Sequence, residues 1–131
     1  MDYDHDEHSK YLLMFHIIFV CKYRKPLLSI FGGEMKSIFT DIAEQSDFSI
    51  LEMEVDKNHI HLLVKSSPKI STLQIVRRLK QISTHRMWQN HSFELRRCFW
   101  KKHTFWSDGY FVCSIGNVSR ETVEKYIQTQ G

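Results

Sequence analysis

Residues 11–23, Tyr-Leu-Leu-Met-Phe-His-Ile-Ile-Phe-Val-Cys-Lys-Tyr, are almost continuously apolar and rich in aromatic and β-branched side chains. That is the pattern of a central strand covered on both faces. A turn is expected around Pro26 and the pair Gly32-Gly33. Met35, Ile38, Phe39, Ile42 and Ala43 then recur at i, i+3, i+4, i+7 and i+8, one apolar stripe of an amphipathic helix. Residues 48–55 alternate, with Leu51, Met53 and Val55 on one face and Glu52 and Glu54 on the other, which predicts a half-exposed strand. Residues 59–65 predict another, in which Ile60, Leu62 and Val64 share the apolar face.

Ser71-Thr72-Leu73-Gln74 matches a capping box flanked by the apolar pair Ile70 and Ile75, so a helix should start at Ser71. It runs through Val76, Leu79 and Ile82 to about Met87. The stretch 90–108 has no clear period. Tyr110 to Ile115 reads as a last strand ended by Gly116-Asn117, and Ser119 can cap a final helix carrying Val123, Tyr126 and Ile127. The order β-α-β-β-α-β-α predicts an α+β protein of the ferredoxin-like, split β-α-β kind: an antiparallel sheet with two helices on one face. The other face must be covered by a partner, a ligand or the C-terminal helix. One domain is expected over residues 1–131.

Composition narrows the function. With 42% hydrophobic and 25% charged residues, 5 Gly and 2 Pro, the chain suits a globular domain rather than a linker or a disordered tail. No apolar run approaches the ~20 residues that cross a bilayer, and the acidic start lacks the features of a signal peptide. Three widely spaced cysteines, Cys21, Cys98 and Cys113, suit a reducing cytoplasm. The net charge of +3 hides an asymmetry: residues 70–131 hold 10 Lys/Arg against 4 Asp/Glu, and residues 1–69 hold 8 against 11. Arg77, Arg78, Lys80, Arg96, Arg97, Lys101 and Lys102 lie in the basic half, interleaved with aromatic residues. Clustered cations attract phosphates and aromatic faces stack on unpaired bases, so this half is the candidate nucleic-acid surface. The same run also fits a solvated helix face followed by buried aromatics.

Two pairs of residues could do chemistry. His59 and His61 lie two apart on a strand, roughly 7 Å along it, on the face opposite Ile60, and could converge on one metal. Eight histidines in 131 residues give about half such a pair by chance, so spacing alone decides nothing. Tyr126 and Gln130 stand at i and i+4 of the last helix, on one face. A tyrosine hydroxyl can act as a nucleophile and an amide oxygen can join a hard cation's shell. Packing of Tyr126 beside Val123 and Ile127, with Gln130 in solvent, fits the pattern equally well.

Four segments in order resolve this. The phrase Glu52 to Val64, with Asn58-His59-Ile60-His61 at its centre, resembles the His-hydrophobe-His strand of the single-tyrosine transposases (the TnpA type) of the smallest bacterial and archaeal insertion sequences. Phe15 to Arg24 is similar to that family's first strand with its Lys-Tyr-Arg ending. Phe105 to Phe111 resembles its Trp-containing approach to the last strand, and Glu124 to Gln130 its nucleophile helix. The resemblance runs from about residue 10 to 131, with Asn58 where Asp is usual and Phe15 where Tyr is common. It implies a metal-dependent transesterase that cleaves and rejoins single-stranded DNA at hairpin-marked ends through a 5′-phosphotyrosine. His59, His61 and Gln130 would be ligands of Mg²⁺ or Mn²⁺, and Tyr126 the nucleophile. It further implies a homodimer in which one subunit's Tyr helix can complete the other's His pair. Two other readings are kept: a domesticated relative acting on dispersed palindromic repeats, and a non-catalytic ferredoxin-like nucleic-acid-binding module.

Overall fold

The computed structural model of the chain describes residues 4–6, 9–11, 13–114 and 120–129. Two short strands, β1 (Asp4–Asp6) and β2 (Ser9–Tyr11), pair antiparallel. The apolar run then becomes β3 (Leu13–Val20), which ends in a 3-10 turn at Lys22–Arg24. Helix α1 (Leu28–Glu44), strands β4 (Phe48–Val55) and β5 (His59–Ser66), helix α2 (Thr72–Arg96), strand β6 (Phe111–Ser114) and helix α3 (Arg120–Thr129) follow. The four longer strands form one antiparallel sheet in the order β4-β5-β3-β6, the ferredoxin-like order that the sequence predicts. Ile115, Gly116-Asn117 and Ser119 lie outside the described residues.

Register explains which face is core. Ile17 pairs with Leu62 and Val112, and Phe19 with Ile60, so their side chains share one face. Against it α1 packs Met35, Ile38, Phe39 and Ile42, and α2 packs Ile75, Val76 and Leu79. Each fully buried side chain of this size stabilises the fold by about 1.5–3 kcal/mol. The predicted capping box forms: the Ser71 hydroxyl accepts from Gln74 N at 3.1 Å, and Gln74 Oε1 accepts from Ser71 N at 2.8 Å. Among the described residues, no helix is long and apolar enough to cross a membrane.

Besides the unpredicted β1–β2 pair, the structure departs from the sequence pattern in α1, β4 and α2. Gly32-Gly33 lies inside α1 rather than in a turn. A Cβ at Gly32 would stand 2.9 Å from Val55 Cγ1, so the glycine lets the helix approach β4 closely. Strand β4 carries a register shift between Ile50 and Glu52, which turns Leu51 outward and leaves Ile50, Met53 and Val55 against the core. Helix α2 continues past Met87 to Arg96, bent at His91, whose φ of −139° and ψ of 36° are not helical.

That bend is held by a polar clamp. His91 Nε2 lies 2.6 Å from Glu34 Oε1 on α1 and its Nδ1 2.9 Å from Glu94 Oε2, while Asn90 donates to Glu34 Oε2 at 3.0 Å. Burial disfavours charged His91, but the hydrogen bonds and charges of Glu34 and Glu94 outweigh it and hold its pKa above the ordinary 6.5. Burial acts on Glu34 in the opposite sense and is outweighed by Asn90, His91 and Arg86, so its carboxyl is held below the ordinary 4.5. The stabilisation from His91 is complete below its unfolded value and is lost as pH rises through the raised folded one; that from Glu34 is lost as pH falls. His91→Gln is therefore expected to flatten the decline in Tm between about pH 6 and 8, read by calorimetry. An unchanged slope would mean that the clamp does not titrate there.

Candidate active site

Strand β5 alternates strictly: Ile60, Leu62 and Val64 are fully buried under the helices, and His59 and His61 are half-buried on the second face. Across that face Glu54, His61, Ile18 and Phe111 are successive register partners on β4, β5, β3 and β6. Ile18 and Val20 point to the same face and are fully buried although they lie outside the helix-side core. The face is therefore covered, and α3 lies on it. The Tyr126 ring tilts against Phe111 with centroids 5.4 Å apart.

Each histidine has a partner that constrains its ring. The Nδ1 of His59 lies 2.9 Å from Asn58 Oδ1. An amide oxygen only accepts, so Nδ1 carries the proton and the Nε2 lone pair is left for a ligand. The Nε2 of His61 lies 2.8 Å from His16 Nδ1, with ring centroids 4.8 Å apart. Burial lowers the pKa of both His59 and His61. For His61, His16 and His59 add to this and Glu54 and Glu52 oppose it. Both are thus biased toward the neutral form, the only form that binds metal.

Tyr126 has the opposite problem. Its hydroxyl is buried and, among the described residues, has no hydrogen-bond partner. Burial pushes its pKa up to about 12. An orphaned buried hydroxyl costs about 1–3 kcal/mol, so a fold that keeps one has a use for it. The two imidazoles share one sheet face and are biased to the neutral form that a divalent cation accepts, and Tyr126 packs on the same face. Among the described residues, no group of three His, Cys, Asp or Glu could hold a metal ion. Gln130, the third expected ligand, lies outside the described residues.

The other functional residues fall into two groups. Arg77, Arg96, Arg97, Lys101 and Lys102 are exposed, and Arg96 lies 5.7 Å from the exposed Phe93 ring. Lys80 and Arg78 are engaged inside the chain. The Lys80 ammonium donates to the carbonyls of Ser107, Asp108 and Gly109 at 2.7, 3.1 and 3.2 Å, and Arg78 donates to Ser46 Oγ at 2.6 Å beyond the end of α1. Sequence reasoning missed His16 and Arg24. His16 is a polar residue in an apolar central strand, and only the register sets it diagonally across from His61. Arg24 Nη1 donates to the Gln128 carbonyl at 2.9 Å, a cation at the C-terminal end of α3.

The family model for transposases of the IS200-like kind matches residues 9–130. The ISDra2 transposase TnpA of Deinococcus radiodurans is 31% identical over 121 residues, covering 92% of this chain and 85% of that protein. The transposase for insertion sequence element IS200 of Salmonella typhimurium is 29% identical over 127 residues, 94% of this chain and 80% of its own length. A crystal structure described as that of a transposase from Deinococcus radiodurans R1 superposes with a TM-score of 0.85 at 27% identity, over 95% of both chains. The structure of a REP-associated tyrosine transposase bound to a REP hairpin shares the fold, with a TM-score of 0.57 at 14% identity over 94% of this chain and 68% of that one. With the sheet order, the histidine strand and the tyrosine helix all in place, this chain belongs to the IS200-like transposase family.

Proposed function

We propose that this transposase cleaves and rejoins single-stranded DNA by transesterification, with Tyr126 as nucleophile and His59, His61 and Gln130 as ligands of Mg²⁺ or Mn²⁺. The observation that carries the reading is the buried Tyr126 hydroxyl, without a hydrogen-bond partner among the described residues, on the sheet face that also bears the two histidines. Such an ion, when bound, supplies positive charge at the phosphodiester. The chain's own residues do the rest. Asn58 fixes the His59 tautomer and His16 orients His61, so both rings are held before substrate arrives. Arg24 ties the end of the Tyr helix to the turn after β3.

The step balances simply. The Tyr126 oxygen forms a bond to phosphorus, the bond from phosphorus to the 3′ oxygen breaks, and that oxygen leaves as a 3′-OH after gaining a proton. The phenol's proton goes to solvent or a base. Ester energy is kept in the 5′-phosphotyrosine, so a second 3′-OH can reverse the step and join new ends without ATP. With burial raising its pKa to about 12, the phenol rests protonated. A cation held by His59, His61 and Gln130 would supply the positive charge that favours its ionised form.

Hairpin DNA is the proposed substrate class, supported by the hairpin bound to the REP-associated neighbour. The proposal includes a homodimer whose Tyr helices can complete the partner's His pair. Likeness to insertion-sequence transposases over nearly the whole chain favours element mobility over action on dispersed repeats. The test is nicking of a single strand that carries a hairpin beside the cleavage site. Cleavage should require Mg²⁺ or Mn²⁺, stop in EDTA and spare the duplex. Binding should weaken steeply between about 50 and 200 mM salt, because Arg77, Arg96, Arg97, Lys101 and Lys102 meet phosphates. Nicking in EDTA, or binding indifferent to salt, would count against the proposal.

A further inference from the structure

We infer that the turn at Lys22–Arg24 and the loop at residues 98–104 together form a pocket for one unpaired nucleobase of the DNA strand, separate from the residues that do the chemistry. The inference rests on the reading of the chain as a single-strand transesterase and adds where a base is held. The two segments are far apart in sequence and are brought together by the end of the sheet. Trp106 forms a bridge with Cys21, and Lys22 N donates to the Phe105 carbonyl at 2.8 Å. Between turn and loop lies a cavity of about 400 Å³, within the range of small-ligand sites.

Its lining is what a base with flanking phosphates needs. Phe99 is 4% exposed and forms an apolar floor, with the Tyr23 ring 6.2 Å away and tilted by 33°. Tyr23 is 61% and Trp100 80% exposed, an unusual outlay of aromatic surface to water. Lys22, Lys101 and Lys102 line it beside the aromatics, and among the described residues no acid lines the cavity. Lys22 reaches Asp108 at 3.5 Å and lies 5.5 Å from the Tyr23 ring.

The backbone adds an independent sign. Tyr23 and Arg24 have φ of 58° and 52°, the left-handed region that a bulky side chain rarely adopts. The strained turn carries the exposed Tyr23 ring, and strained residues of this kind collect at ligand-binding sites. Arg24 in the same turn holds the Gln128 carbonyl, so the pocket adjoins the end of the Tyr126 helix. A base inside a duplex is hidden in its stack, so the pocket accepts only single-stranded DNA.

The chain has three tryptophans, and Trp88 and Trp106 are buried, so quenching of exposed tryptophan emission reports on Trp100. The full chain, in EDTA, is titrated with oligo(dT) of about eight nucleotides and with an all-abasic strand of equal length, which keeps the phosphates and lacks the bases. Oligo(dT) is expected to quench the emission and to bind about tenfold tighter than the abasic strand. Tyr23→Ala and Trp100→Ala should each remove most of that preference, followed by anisotropy of labelled strands, and Trp100→Phe should keep it. Equal binding of the two strands by the unmodified protein, or a preference that survives both alanine variants, would overturn the inference. So would Trp100 emission that shifts to the blue with protein concentration alone, since a second copy would then fill the pocket. A parallel assay for a Tyr126–DNA adduct separates the two claims. An adduct without base preference removes the pocket and keeps the transesterase; base preference without an adduct does the reverse.

Discussion

Tyr126→Phe is expected to abolish cleavage, a fall of roughly 10⁴-fold or more, the scale on which enzymes lose activity with their nucleophile. Stability should move the other way. The hydroxyl that the substitution removes is buried and lacks a hydrogen-bond partner among the described residues. The ring itself still packs on Phe111 at 5.4 Å. Deleting an unsatisfied polar atom in such a setting is neutral or stabilising by about 1 kcal/mol. An inactive variant with equal or higher Tm would identify the hydroxyl as kept for chemistry at a cost to the fold. Loss of activity together with a marked fall in Tm would instead point to packing.

His61→Ala should be nearly as damaging to cleavage while leaving DNA binding largely intact, because the exposed cations Arg77, Arg96, Arg97, Lys101 and Lys102 remain. Asn58→Ala should be milder. It removes only the acceptor that fixes the His59 tautomer, and such supporting partners are worth about 10–100-fold in metal affinity. Asn58→Asp keeps an acceptor and should retain activity. The two inactive variants also probe assembly. Mixed dimers of His61→Ala and Tyr126→Phe subunits have one site with an intact His pair and an intact Tyr if the helices cross between subunits, and activity should then return. No recovery from well-mixed subunits would assign each helix to its own sheet.

Much of this arrangement was legible in the chain. Strict alternation in 59–65 put the histidines opposite the core, and Ser71 to Gln74 marked the start of α2. What was not legible has physical causes. The Leu51 bulge inserts one residue and inverts the apparent face of half a strand, which alternation cannot reveal. Gly32 reads as a turn residue until Val55 is found against it. Between Trp88 and Leu95 the buried stripe of α2 is interrupted by the polar clamp at His91, so the helical pattern of the sequence stops short of the helix. The contact of His16 with His61 depends on register, a property of two strands that neither carries alone. Nor does spacing distinguish a cation that meets solvent from Lys80, whose ammonium is enclosed by three carbonyls.

A covalent bond between Tyr126 and DNA is the expected product of the first step. It is tested by incubating the protein with a hairpin-bearing single strand and Mn²⁺, trapping the complex, digesting it and mapping the modified peptide by mass spectrometry. A 5′-phosphate ester is expected on the peptide that contains Tyr126, formed with the single strand, absent with duplex and absent in EDTA. DNA attached to Tyr3, Tyr11, Tyr23 or Tyr110, or cleavage with no protein–DNA ester at all, would contradict it.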